Sequence, residues 1–167
     1  MSNISMTTSK RNAIVTVMLI SAFVSMLNQT ILNTALPAII KGLNITETTA
    51  QWLITGFMLV NGIMIPLTAF LMDKYSTRHL YIFSMAIFLL GSIVAAFSPT
   101  FSILMISRII QAIGAGILLP LMQFTVFTLF PAEQRGFAMG LAGVVVQSAP
   151  AIGPTLTGLF VDLFSWR

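Results

Sequence analysis

Five long apolar segments constrain this chain more than any other feature of its sequence. We place them at residues 13–40, 51–72, 79–97, 101–130 and 136–164. A helix needs about 20 apolar residues to cross the roughly 30 Å hydrocarbon core of a bilayer, and every segment reaches about that length. Backbone groups in lipid are satisfied only in helices or closed barrels, and runs this continuous are not barrel strands. The sequence therefore predicts an all-α membrane protein with five transmembrane helices.

The composition agrees with a lipid environment. Hydrophobic residues make up 57% of the 167 residues and charged residues only 7%, whereas soluble proteins carry roughly a quarter charged residues. The net charge of +4 comes without any basic run, so we expect no nucleic-acid partner. The chain has no cysteine, and no phosphate loop, metal cluster or nucleophile triad is recognisable in it. We therefore expect neither an enzyme nor a bound metal or cofactor.

Residues 1–12 form a short segment before the first span. Lys10 and Arg11 could introduce a secretory signal, but the apolar run after them is too long, lacks a small-residue cleavage site and is followed by further spans. The loop charges predict the orientation, because loops rich in Lys and Arg stay in the cytoplasm. One side of the membrane would carry the basic residues Lys10, Arg11, Lys74, Arg78 and Arg135, and the other side only Lys41 and Arg167. We expect a multi-pass protein of the cell membrane with its N-terminus in the cytoplasm.

The connections between the spans are short, so we expect sequence-adjacent helices to be antiparallel neighbours. Five spans would leave Arg167 at the outer face directly after a span. We therefore expect the chain to be the first portion of a larger protein, with the remaining helices as its partners.

Arg108 is the most informative single residue. It lies about 10 Å below the outer end of the fourth span, at 1.5 Å per helical residue. A charge at that depth is costly unless it faces protein or water. Two readings stay open: an arginine that snorkels to the outer interface, or one that lines a cavity for substrate or protons. Gln111 follows three residues later and shares its face, and Gln147 in the fifth span falls near the midplane, where transporters place their sites.

The first span carries a polar stripe in which Ser21, Ser25, Gln29 and Asn33 repeat every four residues. Asn28 lies beside this stripe at about the depth of Arg108. Such residues could be hydrogen-bonding glue between helices, worth about 0.6 kcal/mol per contact, or could line a cavity. The sequence favours neither reading.

The fifth span holds two prolines, Pro150 and Pro154, each of which removes a helix hydrogen bond and bends the helix. Ala149, Gly153 and Thr157 repeat every four residues and would let another helix approach closely. We expect this small-residue face to serve either a moving interface that meets a second helical bundle or static close packing.

Four sequence runs resemble motifs of the major facilitator superfamily, specifically its fourteen-helix branch of drug:proton antiporters, which includes multidrug and lincomycin-resistance pumps. They are residues 27–37 (LNQTILNTALP), 69–78 (AFLMDKYSTR), 104–116 (LMISRIIQAIGAG) and 149–158 (APAIGPTLTG). The runs occur in the family's order and on the family's helices, and the resemblance extends over essentially the whole chain.

The resemblance implies two helical bundles that rock around a central cavity and export lipophilic, often cationic compounds in exchange for protons. It implies that Arg108 takes part in proton transfer. It also implies that Asp73, Lys74 and Arg78 belong to a cytoplasmic gate motif, and that the motif from Ala149 to Gly158, with its bend at Gly153 and Pro154, is tied to antiport. The proton gradient would be the energy source, with no cofactor.

The chain departs from the family pattern at three places. Asn28 stands where many members carry an acidic residue, so the titrating carboxylate would be Asp162 or would lie outside these five spans. Ser76 and Thr77 replace the usual glycine and basic residue of the loop, which weakens the gate assignment. The family's first bundle has six helices, of which this chain would supply five.

Proton-coupled efflux of lipophilic drugs is thus the function that the sequence favours. One alternative is a truncated membrane fragment that does not transport. A second is a facilitator-type carrier for another small solute, against which the run from Ala149 to Gly158 argues. An intramembrane enzyme is the weakest reading, since only Arg108 is charged in mid-span.

Overall fold

The protein is a bundle of α-helices in a computed structural model that describes the backbone of residues 7–164 and the side chains of residues 7–158. The helices are α1 (Thr8–Leu43), α2 (Glu47–Lys74), α3 (Thr77–Ala96), α4 (Phe101–Leu129) and α5 (Ala132–Phe164). All five are long and apolar enough to cross a membrane. The predicted all-α architecture with five spans is confirmed.

The helices extend beyond most of the predicted apolar segments, and local sequence explains where they begin and end. Thr46 precedes α2, and its hydroxyl accepts a hydrogen bond of 3.2 Å from the Thr49 amide. Thr100 caps α4 in the same way through the Ile103 amide at 3.5 Å. Asn44 ends α1 in the left-handed conformation, with φ of 51°. These capping residues lie in the polar connections between the apolar runs, where they satisfy free backbone groups or end the helix.

Prolines occur inside four of the helices without ending them. They are Pro37 in α1, Pro66 in α2, Pro120 in α4, and Pro150 and Pro154 in α5. Such prolines are tolerated in membrane helices because neighbouring groups satisfy the freed carbonyls. The structure thus keeps α5 as one helix through both of its prolines.

The packing order of the helices differs from the expectation that sequence-adjacent helices would be neighbours. Helix α4 packs extensively on α3 and on α2, and α1 packs extensively on α5, while α1 and α4 join the two groups. Consecutive helices other than α3 and α4 contact each other only slightly. The expectation is right for α3 and α4 and wrong for the other consecutive pairs, because a short loop makes two helices antiparallel, whereas their buried faces decide which helices pack together.

Over the residues whose side chains are described, α4 is the most buried of the helices, and small residues bring its neighbours close. A Cβ built on Gly114 would lie 2.6 Å from the Ser84 carbonyl oxygen of α3. On the other side, a Cβ on Gly116 would lie 2.5 Å from Met64 Cβ of α2. The Thr68 hydroxyl of α2 donates to the Gly116 carbonyl at 3.3 Å. The glycines therefore let α2 and α3 approach the α4 backbone closely, which places α4 between them.

The outside of the bundle is apolar, as a lipid-facing surface must be. Large hydrophobic side chains with more than half of their surface exposed occur on several helices, including Leu59, Leu89, Ile106 and Val144. Helices α1, α3 and α5 begin at one end of the bundle, where α2 and α4 end. We call this the α1 end, and the other the opposite end.

Candidate functional site

Arg108 lies inside the bundle on α4, seven residues after the helix begins at Phe101. None of its surface is exposed, which makes it the largest fully buried side chain among the described residues. An arginine that snorkels to the interface would keep its guanidinium at the surface. The structure instead places the Arg108 guanidinium among the helices, so the snorkelling reading is wrong.

Three helices contribute to the surroundings of the guanidinium. Its Nη1 donates to the Asn28 Oδ1 of α1 at 3.2 Å and to the Gln111 Oε1 of α4 at 2.8 Å. The Phe57 ring of α2 lies below it, with the guanidinium carbon 4.2 Å from the ring centroid. Such a stacked position attracts a cation to the ring face. Arg108 thus contacts side chains of α1, α2 and α4 at one point in the bundle.

The polar network continues from Arg108 to α3. The Gln111 Nε2 donates to the Ser92 Oγ at 3.0 Å, and the Ser92 hydroxyl donates in turn to the Phe88 carbonyl at 2.9 Å. Gly91 makes this approach possible, since a Cβ there would lie 2.8 Å from Gln111 Cγ. Buried and half-buried polar side chains of three helices, α1, α3 and α4, therefore form one hydrogen-bonded network, and α2 adds the Phe57 ring.

The guanidinium is only partly satisfied. Its Nε and Nη2 atoms are buried and have no hydrogen-bond partner among the described residues. The acidic residues with described side chains are Glu47, Asp73 and Glu133, all within a turn of a helix end. Arg108 therefore has neutral acceptors on one side and two free donor atoms on the other.

The polar stripe of α1 does not act as a unit. The Ser21 hydroxyl is hydrogen-bonded to the Tyr81 hydroxyl of α3 at 2.6 Å, as interhelical glue would be. Ser25 is buried, Gln29 is half-buried, and Asn33 is exposed. The structure thus brings only the neighbouring residue Asn28 to Arg108, while Gln29 and Asn33 make no side-chain hydrogen bond to that network within the described part of the chain.

A second feature is a cavity of about 260 Å³ between α1, α4 and α5. The Gln123 and Gln147 side chains supply its amides, and Gln147 is the residue that the sequence placed near the midplane. Its remaining lining is Met26, Leu119, Met122, Met139, Ala142, Gly143 and Val146. Methionine is flexible and polarisable and adapts to apolar groups of different shapes. The cavity therefore suits varied lipophilic molecules better than one polar ligand.

Sequence reasoning missed Phe57, Ser92, Gln123 and these methionines. Gln123 could have been identified from the sequence, because placing a polar amide in an apolar span costs free energy and such residues are often functional. The methionines and Phe57 carried none, since the chain holds 11 methionines and 13 phenylalanines.

The small-residue face of α5 packs against α1. A Cβ on Gly153 would lie 2.5 Å from Thr30 Cγ2, and Ala149 and Thr157 are buried. The expectation that this face meets a second bundle is thus wrong for Gly153, because α1 of the same bundle already covers it. Pro150, Pro154 and Gly158 lie on the exposed side of the helix.

A larger cavity of about 540 Å³ lies at the α1 end between α1, α3 and α4. Its lining is mostly apolar and includes Arg78 and Tyr81. In the turn at residues 73–79, the Asp73, Lys74 and Arg78 side chains are exposed. The one side-chain hydrogen bond described in this turn joins the Ser76 Oγ and the His79 Nδ1 at 2.6 Å. The structure therefore does not bring Asp73 and Arg78 together by a hydrogen bond.

Metal chemistry finds no support in the described side chains. Within that part of the chain, no group of three or more His, Cys, Asp or Glu residues could hold a metal ion. Asp162, the residue that the sequence offers as a titrating carboxylate, lies outside the residues whose side chains are described.

Comparison with known proteins identifies the family. The sequence model of the Major Facilitator Superfamily matches residues 18–167, which is most of the chain. The chain belongs to this superfamily. The resemblance noted in the four sequence runs is thereby confirmed at the level of the superfamily.

The curated relatives include several superfamily transporters. The chain is 55% identical to the "Uncharacterized MFS-type transporter YcnB" of Bacillus subtilis over 94% of this chain and 33% of the relative. It is 45% identical to the "Lincomycin resistance protein LmrB" of the same organism over 90% of this chain and 31% of the relative. It is 36% identical to the "Probable multidrug resistance protein EmrY" of Escherichia coli over 88% of this chain and 29% of the relative. The chain thus spans about a third of the length of these superfamily members.

Proposed function

We propose that the complete transporter that contains this chain exports lipophilic compounds across the cell membrane in exchange for protons. Residues 1–167 supply five helices of its first bundle, and the remaining helices complete that bundle and form the second one. The observation that carries the proposal is the buried Arg108 network, which joins α1, α3 and α4 by hydrogen bonds inside a largely apolar bundle. A buried charge in a membrane protein marks a pathway for ions or substrates more often than a structural contact.

The cavity between α1, α4 and α5 supports lipophilic substrates. Its lining combines methionines with the Gln123 and Gln147 amides, so apolar surface dominates and a few polar groups are available for orientation. The relatives' names, lincomycin resistance and multidrug resistance, agree with export of such compounds.

The orientation belongs to the same proposal. Arg11, Lys74, Arg78 and Arg135 all lie at the α1 end of the bundle. Loops rich in Lys and Arg remain in the cytoplasm. The α1 end is therefore the cytoplasmic end, and the opposite end faces outward.

Proton coupling needs a group that titrates, and Arg108 stays protonated at all relevant pH values. We therefore assign the proton to a carboxylate of the complete transporter rather than to Arg108. That carboxylate is either Asp162 or a residue of the remaining helices, because the described acidic side chains all lie near helix ends.

The test uses the complete transporter purified into proteoliposomes loaded with a lipophilic fluorescent dye. Under an imposed pH gradient we expect dye to leave against its own gradient while protons move the opposite way. Collapsing the gradient with a protonophore should stop dye movement. Dye movement that persists without the gradient would show a facilitator, and absence of any dye movement would contradict the proposal.

A matched pair of variants connects this activity to the site. Arg108→Ala removes the buried charge, whereas Lys41→Ala removes an exposed charge at the end of α1. Only the first variant should lose gradient-driven efflux. Equal loss of efflux in both variants would show that efflux does not depend specifically on the Arg108 network.

A further inference from the structure

One edge of the Arg108 guanidinium, formed by Nε and Nη2, has no hydrogen-bond partner among the described residues. A guanidinium has five N–H donors in a fixed plane. Nη1 uses its donors on Asn28 and Gln111, whereas the Nε and Nη2 donors have no partner among the described residues. Nε–H and one Nη2–H point in parallel along one side of the plane. That side-on edge is the fork that binds both oxygens of a carboxylate.

The charge around this edge is also unbalanced. Both acceptors of Nη1 are neutral amides, and the Phe57 ring offers only its quadrupole. The described acidic side chains lie near the helix ends, away from mid-span. A buried arginine without a counter-charge is unfavourable, so an anion that reached the free edge would be bound strongly.

The surroundings select the kind of anion. Arg108 is the only Lys or Arg that lies away from the helix ends within the described spans, so a single negative charge would be balanced and a doubly charged phosphate would not. The neighbourhood of Phe57 is apolar, with Ala112 and Ala115 in the same cluster. A monoanion attached to a lipophilic body fits both conditions.

We propose that the free Nε–Nη2 edge of Arg108 binds the carboxylate of a transported compound, so that lipophilic carboxylic acids are among the substrates. The inference rests on the proposed efflux function and defines a substrate class for it. It differs from the cationic compounds that the family resemblance implies. A carboxylate side chain in the remaining helices could offer the same chemistry, and the experiment below distinguishes that source from the substrate.

Arg108 is fully buried in this conformation, so a carboxylate can reach the free edge only when helices around the guanidinium move apart. Among the described residues, one side-chain hydrogen bond joins α1 and α4, from Arg108 to Asn28 at 3.2 Å. Its acceptor is a neutral amide rather than a carboxylate. The Arg108–Asn28 hydrogen bond is therefore weaker than an ion pair between two charged groups, and it opposes the separation of α1 from α4 only weakly.

Asn28 therefore provides the decisive variant. Asn28→Asp changes the acceptor of Arg108 into a carboxylate of nearly the same size, which supplies a built-in counter-charge. A substrate carboxylate must then compete with it. The matched control is Asn44→Asp, the same chemical change at an exposed position after α1, where the left-handed backbone suits both residues.

The probes are a xanthene dye with a free benzoate group and the methyl ester of the same dye. The complete transporter is reconstituted in proteoliposomes with a pH gradient, and initial efflux rates of both dyes are measured. We expect the wild type to export the acid. Asn28→Asp should lower the ratio of acid to ester efflux by at least about tenfold, the factor that a hydrogen bond to a charged group contributes. Asn44→Asp should keep the wild-type ratio.

Gln111→Glu is a second variant that brings a carboxylate to Nη1 from α4 and should lower the same ratio. A measurement on the wild type alone covers the case in which neither variant folds. The purified transporter should bind the acid dye at least about tenfold more tightly than the ester, as measured by fluorescence anisotropy. Equal affinities would overturn the inference.

The other outcomes separate the inference from the proposed function. If the wild type exports the ester under the pH gradient but not the acid, efflux stands and the carboxylate site is wrong. If Asn28→Asp lowers both rates by the same factor, Arg108 pairs with a carboxylate of the transporter itself, and the substrate assignment is overturned. If neither dye moves, the proposed function fails and the inference fails with it.

Discussion

Gly153 of α5 faces Thr30 of α1 at a distance that only glycine permits. A Cβ at Gly153 would lie 2.5 Å from Thr30 Cγ2 and 2.8 Å from Thr30 Cβ. Thr30 cannot turn aside easily, because its side chain is β-branched and its hydroxyl donates to the Met26 carbonyl at 3.0 Å. The backbones of α1 and α5 therefore approach closely at this point.

Gly153→Ala should destabilise the transporter by about 1–3 kcal/mol, the usual cost of an additional methyl group in a packed interior. Gly143→Ala is the matched control on the same helix, since its Cβ would meet nothing within 4 Å. The control should be neutral or stabilising by up to about 1 kcal/mol, because alanine favours a helix more than glycine does. Thermal unfolding of the purified proteins in detergent measures both, and a Gly153→Ala protein as stable as the control would show that α5 stands farther from α1.

The sequence predicted part of this contact. The spacing of Ala149, Gly153 and Thr157 predicted a helix face that permits close approach, because residues four apart share a face. It could not identify the partner helix. Small residues carry little chemical identity, and Thr30 has no special signal among the other hydroxyl residues of α1. The partner depends on how all five helices pack together, which is a tertiary property.

Gly114→Ala should have a larger effect than Gly153→Ala. Its Cβ would lie 2.6 Å from the Ser84 carbonyl oxygen and 2.9 Å from the Phe88 amide nitrogen, both backbone atoms of α3. Backbone cannot move aside as a side chain can, so α3 and α4 would have to separate. We expect a loss of about 3 kcal/mol or more, at the upper end of the range for overpacking.

Gly62→Ala serves as the control for this variant, because the added Cβ would have open space around it. Both proteins should be compared by thermal unfolding and by the amount found in the membrane. Equal stability of the two variants would mean that α3 and α4 are not in close contact at Gly114.

The sequence predicted the site residues that are recognisable by their polar side chains, and it could not predict the contacts that depend on how the helices pack. Arg108, Gln111 and Asn28 are conspicuous because polar side chains in apolar spans are costly, and the structure joins them by hydrogen bonds. Gln29 and Asn33 were equally conspicuous, yet the structure leaves them outside that network. Their positions on α1 are rotated away from Asn28 by about 100° per residue, so helix rotation decided which amide reached Arg108.

Reporter fusions should test the orientation. A reporter placed after Ala50 or Thr100 follows an odd number of spans and should read as external, whereas one after Thr77 or Gln134 should read as cytoplasmic. The physical reason is the retention of basic loops in the cytoplasm. Paired reporters, one active only outside and one only inside, make each position its own control. A reversed pattern would contradict the assignment of the α1 end to the cytoplasm.

Arg108→Ala should abolish gradient-driven efflux by the complete transporter while the protein stays in the membrane. The change removes the donor for the Asn28 and Gln111 oxygens and the cation above the Phe57 ring. Efflux should fall by at least about tenfold, since hydrogen bonds to a charged group contribute that factor or more. Arg108→Lys should also lose efflux, because a compact ammonium cannot donate to both amides from one planar group stacked on a ring.

Dye efflux from energised cells measures the effect, with tagged protein quantified in the membrane fraction. Lys41→Ala is the control for loss of a positive charge, because Lys41 is exposed at the end of α1. Full efflux by the Arg108→Ala transporter would reduce this arginine to a packing element and remove the basis for placing a transport pathway in the network around it.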